Sequence, residues 1–67
     1  MELEFQVHNV KCNGCASAIR DGLGKHPQVR DVQVEVPTGE VTVTTDSDIR
    51  AELGIVLREL GYPEKAA

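Results

Sequence analysis

The chain has 67 residues, a net charge of −4 and an apolar fraction of 40%, with no Trp, one Phe and one Tyr. This length predicts one domain, residues 1–67, with a thin aliphatic core. Residues 35–67 hold seven acidic and three basic side chains, against four of each in residues 1–34. The surplus negative charge argues against nucleic acid or an anionic membrane as partner, because both would repel it. The surplus negative charge is consistent with a role in solubility alone, or with docking of an acidic face on a basic patch of a partner protein.

The first predicted element is a strand that leads into a pair of cysteines. Leu3, Phe5 and Val7 alternate with polar residues, which is the period of a strand with one buried face. Strand-like sequence follows Met1 directly, and no stretch has the features of a signal peptide or a transmembrane helix. The cytosol is therefore the expected compartment. There, two cysteines three positions apart are metal-binding or catalytic more often than a structural disulfide.

A helix is predicted after the cysteines. Its apolar stripe, spaced i, i+3, i+4, i+7 and i+8, consists of Cys15, Ala18, Ile19, Gly22 and Leu23. Gly24, followed by His26 and Pro27, is expected to end it, since proline disfavours helical geometry in the residue before it.

A β-hairpin and a second helix complete the pattern. Val32, Val34 and Val36 alternate with polar residues before the turn 37–39, and Val41 and Val43 alternate beyond it. The second helix is predicted to follow the cap-rich segment 45–48 and to end at Gly61. Its predicted apolar stripe is Ile49, Leu53, Val56, Leu57 and Leu60. The order β, α, β, β, α favours an α+β antiparallel sheet with both helices on one face.

The two thiols can serve either of two chemistries. Cys12 is expected in the loop and Cys15 in the first helical turn, where free N–H groups and the helix dipole favour thiolate, with Lys11 adding a cation. Such thiols can form a redox disulfide or bind one soft metal ion. The intervening Asn13-Gly14 pair is unlike that of most Cys-x-x-Cys oxidoreductases, and the chain is too short for their scaffold.

The other metal-ligating side chains argue against a closed zinc site. A structural zinc ion takes four ligands, which would require both histidines. His26 follows the first helix, so it is expected roughly 12–15 Å from Cys15, given a rise of 1.5 Å per residue. His8 is expected on the exposed face of the first strand. Two thiolates alone suit a soft monovalent ion of low coordination number, Cu(I) above all.

The whole chain resembles the heavy-metal-associated family of small copper chaperones and metal-transporting ATPase domains. The resemblance rests on Cys12-Asn13-Gly14-Cys15, on Ile19 and Leu23, on Val29, and on Gly61-Tyr62. It implies a ferredoxin-like βαββαβ fold and cytosolic carriage of Cu(I) with Cys12 and Cys15 as ligands. It also implies transfer to a P-type ATPase or another metal-accepting protein, and a role for Tyr62 in shielding the metal from water.

The chain departs from the family pattern at three places. Val10 stands where the family's signature has Met, and Lys11 precedes the first cysteine, where zinc- and cadmium-type members often have Asp. The last strand is reduced to 63–67, so it is expected to be short or absent. An open sheet edge would permit a homodimer through that edge, and a shared metal ion is a second route to one.

No catalysis is expected, since the sequence has no nucleophile with an adjacent base, no phosphate loop and no paired carboxylates in a pocket. Two alternatives to copper carriage stay open. One is a small thiol–disulfide redox protein or sensor that uses the same cysteines. The other is a carrier of Hg, Zn or Cd.

Overall fold

The computed structural model describes residues 1–65, and its elements follow the predicted order. They are β1 (Glu2–Gln6), α1 (Asn13–Gly24), β2 (Val29–Glu35), β3 (Glu40–Thr45) and α2 (Arg50–Glu59). The strands form an antiparallel sheet in the order β1-β3-β2. In the described part of the chain, neither helix is long and apolar enough to cross a membrane.

One apolar cluster joins the sheet to both helices, which confirms the predicted α+β arrangement. Phe5 of β1 lies opposite Val41 of β3, and Leu3 lies opposite Val43, so the alternating apolar side chains form one buried face. The helices bury Ile19, Leu23, Leu53 and Leu57 against that face, each at 0% exposure. The residues that alternate with the buried apolar ones in β1 and β3 are polar and point to the other face of the sheet, whereas Thr45, at the end of β3, is a polar residue on the buried face.

The helical stripes differ from prediction in two details. Ala16 is buried and Ala18 is exposed, because Cys15 lies half-buried at the loop end and the inward face of α1 runs through Ala16, Ile19 and Leu23. Leu60 is 37% exposed. It lies across Gly22, where an added Cβ would come within 2.5 Å of Leu60 Cδ1. A larger residue at position 22 would therefore require the partly exposed Leu60 side chain to move.

The start of α2 lies later than the cap-rich segment 45–48 suggests. The helix begins at Arg50, and its N-cap, Ile49, makes no side-chain capping bond. Asp48 instead accepts the Arg50 N–H at 3.2 Å through Oδ1, and the Thr45 hydroxyl donates to the Ser47 carbonyl at 2.6 Å. The polar side chains therefore shape the turn before the helix.

The last strand is short, as expected. Val7 and Glu64 form a single antiparallel bridge, with His8 N donating to Pro63 O at 2.9 Å and Lys65 N donating to Gln6 O at 2.6 Å. The prediction for Ala66 and Ala67 lies outside the described residues. Further along the same edge of β1, the Arg50 guanidinium donates to Glu4 O at 2.8 Å and lies 4.8 Å from the centre of the Phe5 ring.

Candidate metal centre

Both cysteines lie at the first turn of α1. Cys12 is the N-cap, with extended backbone at φ −159° and ψ 176°, and its carbonyl accepts the N–H groups of Cys15 at 3.1 Å and Ala16 at 3.3 Å. This turn places the two cysteines at the same helix end. Cys12 is exposed and Cys15 is half-buried, and both are free thiols. Neither sulfur caps the helix, so both are free to act as ligands.

The surroundings of Cys15 favour its thiolate. A hydrogen bond from the Tyr62 hydroxyl is the largest cause, followed by one from the Lys11 backbone N–H, and together with contacts from Cys12 they lower the pKa of Cys15 from 9.0 to about 7. Partial burial opposes this lowering. The same hydrogen bond raises the pKa of Tyr62, because the hydroxyl must keep its proton to donate it, and burial and the neighbouring thiolate charge act in the same direction. Near neutral pH a large fraction of Cys15 is therefore thiolate.

The role of Lys11 differs from the one expected. We predicted that its ammonium group would stabilise the thiolates. The side chain is exposed, and the contribution of Lys11 to the lowered pKa of Cys15 comes through its backbone N–H. Any residue other than proline supplies that donor at this position.

Tyr62 reaches the cysteines because of the way α2 ends. Gly61 has φ +96°, the left-handed conformation that glycine adopts without steric cost. Its N–H donates to Arg58 O at 3.1 Å, and the Tyr62 N–H donates to Leu57 O at 2.9 Å, which is a Schellman motif. This turn reverses the chain and brings Tyr62 beside Cys15, as the predicted fold required.

Sequence reasoning overlooked Asn9. Its side-chain amide donates to Gly61 O at 3.0 Å, and its carbonyl accepts from the Cys15 thiol at 3.7 Å. Its φ is +74°. Asn is one of the few non-glycine residues that adopt this conformation readily, and this preference was the available signal.

The histidines lie away from the thiols, as predicted for His26. Its Nε2 contacts Glu52 Oε2 at 3.0 Å, and its Nδ1 accepts the Gln28 N–H at 3.2 Å. His8 is exposed and lies just after β1. Within residues 1–65, no group of three or more His, Cys, Asp or Glu side chains is placed to hold a metal ion. Two sulfurs at one helix end are a donor pair that fits a soft cation of low coordination number.

The fold and the pair of free thiols define a small α+β domain of the metal-binding type, and comparison with known proteins agrees. The sequence profile of the heavy-metal-associated domain matches residues 4–63. The chain belongs to this family.

Three curated relatives cover most of the chain. It is 45% identical over 67 residues to heavy metal-associated isoprenylated plant protein 31 of Arabidopsis thaliana, and spans 46% of that protein. It is 31% identical over 64 residues to the copper chaperone CopZ of Enterococcus hirae, covering 92% of this chain and 93% of CopZ. It is 31% identical over 58 residues to a zinc/cadmium/lead-transporting P-type ATPase of Escherichia coli, covering 87% of this chain and 8% of the ATPase.

Solved structures agree on the fold. A CopZ metallochaperone structure superposes with a TM-score of 0.92 over 97% of this chain and all of that chain, at 21% identity. The predicted ferredoxin-like fold is thereby confirmed.

Proposed function

We propose that the protein carries one soft metal ion, Cu(I) first, bound by the thiolates of Cys12 and Cys15, and transfers it to an acceptor protein. The observation that carries the proposal is the pair of free thiols at the start of α1, one with its pKa lowered to about 7. The relatives named for copper and for zinc, cadmium and lead support a heavy-metal cargo. The activity is binding and release without catalysis.

The donor set favours Cu(I) over Zn(II). Two thiolates satisfy the low coordination number of Cu(I), whereas Zn(II) takes four ligands in structural sites. The residue directly before Cys12 is Lys11, so no carboxylate is available at that position. A carrier of Zn(II), Cd(II) or Hg(II) is the alternative within the same class. Zn(II) would need further donors from an acceptor or from solvent, whereas soft Hg(II) is also satisfied by two thiolates.

The different exposure of the two sulfurs suits transfer by ligand exchange. Cys12 is exposed, so an acceptor thiolate can reach the ion and bind it from that side. Once the acceptor thiolate has bound as the third sulfur ligand, the bond between the ion and Cys12 breaks first. The bond between the ion and half-buried Cys15 breaks last. The acceptor we propose is the metal-binding part of a P-type ATPase or another cytosolic protein with a thiol pair. A second copy of this chain, bridged by one ion, is the self-associated form of the same exchange.

A second candidate is a dithiol redox protein. The lowered pKa of Cys15 favours it as well, since a thiolate is also the nucleophile in disulfide exchange. The two functions differ in what the thiols hold at equilibrium, which is a metal ion in one case and a disulfide in the other.

The deciding experiment is an anaerobic Cu(I) titration of the reduced protein against a chromogenic Cu(I) chelator, with Zn(II) titrated in parallel. We expect the protein to remove copper from the chelator at about one ion per chain or per pair of chains, with much weaker zinc binding. The matched control is the double variant C12S/C15S, which should leave all copper with the chelator. Copper retained by the chelator in the presence of wild-type protein would contradict the proposal, and the redox potential of the thiol pair would then test the second candidate.

A further inference from the structure

We infer that Asn9 is a positioning residue of this site: its side-chain amide ties the cysteine loop to the end of α2 and so holds Tyr62 beside Cys15. The effect on metal release rests on the proposed function, whereas the placement of Tyr62 does not. Asn9 is exposed, so burial of its side chain does not account for its conformation.

The backbone of Asn9 adopts a left-handed conformation, which is uncommon for non-glycine residues even though Asn adopts it more readily than most. Among residues 1–65 it is the one non-glycine residue with positive φ, at +74°. Such geometry is disfavoured for residues with a Cβ and persists where surrounding contacts enforce it. Here it directs the amide to Gly61 O at 3.0 Å and the carbonyl towards Cys15 Sγ at 3.7 Å. One residue thus contacts both a proposed ligand and the segment that carries Tyr62.

The hydrogen bond from the Asn9 amide is accepted by Gly61, a turn residue with no side chain that could anchor it. Gly61 has φ +96°, and a Cβ added there would have no neighbouring atom within 4 Å. Tyr62 follows directly, and Pro63 O, on the other side of Tyr62, accepts the His8 N–H at 2.9 Å. Two hydrogen bonds from adjacent residues, 8 and 9, therefore hold the residues before and after Tyr62. Removing the Asn9 amide leaves the side nearer α2 held by the helix end alone.

A turn role and an anchoring role predict different outcomes at position 9. Asn9→Gly retains the positive φ and loses the amide. Asn9→Ala loses both, while Asn9→Asp keeps the shape of the side chain but replaces the donor by a carboxylate that repels the Gly61 carbonyl. If Asn9 serves only the turn, the glycine variant behaves as wild type. If the amide is the anchor, all three variants release Tyr62.

Tyrosine fluorescence of the metal-free reduced protein separates these roles, because Tyr62 is the only Tyr and the chain has no Trp. We expect acrylamide quenching of Tyr62 in all three variants to shift towards the value of the chain unfolded in denaturant, while circular dichroism shows the fold retained. Quenching of the glycine variant equal to wild type overturns the inference. If the glycine variant unfolds, the nearly isosteric aspartate variant decides by the same criterion.

The metal-bound protein gives a second readout through a double-mutant cycle with Tyr62→Phe. We expect Asn9→Gly to speed removal of Cu(I) by a chelator about fivefold, the size given by loss of one ordinary hydrogen bond. If Asn9 acts through the Tyr62 hydroxyl, the same change made in the Tyr62→Phe protein has a smaller effect. Equal effects in both backgrounds overturn action through Tyr62. Failure of the wild type to bind copper would contradict the proposed function, and the fluorescence result would still decide the inference.

Discussion

The two ends of the molecule are held together in different ways. At the distal end, residues 26–30 and 45–49, side chains join the loops: Arg30 binds Asp46 through contacts of 3.0 and 2.5 Å, and Ser47 binds Gln28. At the cysteine end, residues 9–15 and 61–63, the contacts are backbone hydrogen bonds, the amide of Asn9 and the hydroxyl of Tyr62. The ion pairs found among residues 1–65 all lie outside the cysteine end.

This difference is explained by two requirements of the thiols, which are a stable thiolate form and an accessible Cys12 sulfur. A fixed carboxylate beside them would raise the pKa of the thiols and disfavour the thiolate, and a bulky network would cover the exposed sulfur of Cys12. Neutral donors hold the loop without either effect. The distal end has no such constraint, so charged side chains can secure it. We therefore expect changes at the cysteine end to alter thiol chemistry with little effect on stability, and changes at the distal end to do the reverse.

The largest effect is expected from removal of either proposed ligand. Cys12→Ser or Cys15→Ser alone should lower Cu(I) affinity by more than about 100-fold, beyond the 10–100-fold that loss of an outer partner of a ligand costs. Chelator competition measures the affinity, and Ser17→Ala on the exposed face of α1 is the matched control. A single variant with wild-type affinity would contradict the two-thiolate site.

Next in size is the effect of the Tyr62 hydroxyl on Cys15. Tyr62→Phe removes the largest cause of the lowered pKa of Cys15, so that pKa should rise from about 7 towards 9.0. Because the folded value is the lower one, the thiolate stabilises the fold fully above pH 9.0, and this contribution is lost as the pH falls through about 7. Between about pH 7 and pH 9.0, the free energy of unfolding should therefore rise less in Tyr62→Phe than in the wild type. The pH dependence of Cys15 alkylation, measured in Cys12→Ser, checks the shift, and an unchanged midpoint would exclude the hydroxyl as its cause.

A smaller effect is expected at the distal end. Arg30→Ala removes an exposed ion pair in which Arg30 lowers the pKa of Asp46, chiefly through its hydrogen bond. The melting temperature should fall slightly at low salt, and the difference should shrink as salt is added. Arg20→Ala, which loses only a 3.5 Å contact to Ser17, is the control. A changed alkylation rate of Cys15 in Arg30→Ala would show that the two ends are coupled.

The smallest effect is expected from Lys11→Ala. The contact that lowers the pKa of Cys15 comes from the backbone N–H of residue 11, which alanine retains. The alkylation midpoint of Cys15 should stay near pH 7, and melting should be unchanged. A raised midpoint would show that the ammonium group of Lys11 stabilises the thiolate, as predicted from the sequence.

Local pattern was sufficient for most of the fold. The alternation of Leu3, Phe5 and Val7 and the valines around the 37–39 turn predicted the strands, because a strand exposes alternate residues to opposite faces. The predicted stops of both helices at Gly24 and Gly61 agree with the structure. The prediction was less accurate for details that depend on which helix face meets the sheet. Ala18 was predicted to lie on the buried face of α1, whereas the structure buries Ala16.

For this protein, the sequence by itself determined the order of the elements, the proposed ligands Cys12 and Cys15 and the family, since these follow from spacing along the chain. Only the tertiary structure decided what surrounds the thiols. The Tyr62 hydroxyl and the Asn9 amide act across more than 40 residues of chain. Such contacts depend on the angle at which α2 ends and on one left-handed residue, and neither quantity has a periodic signature in the sequence.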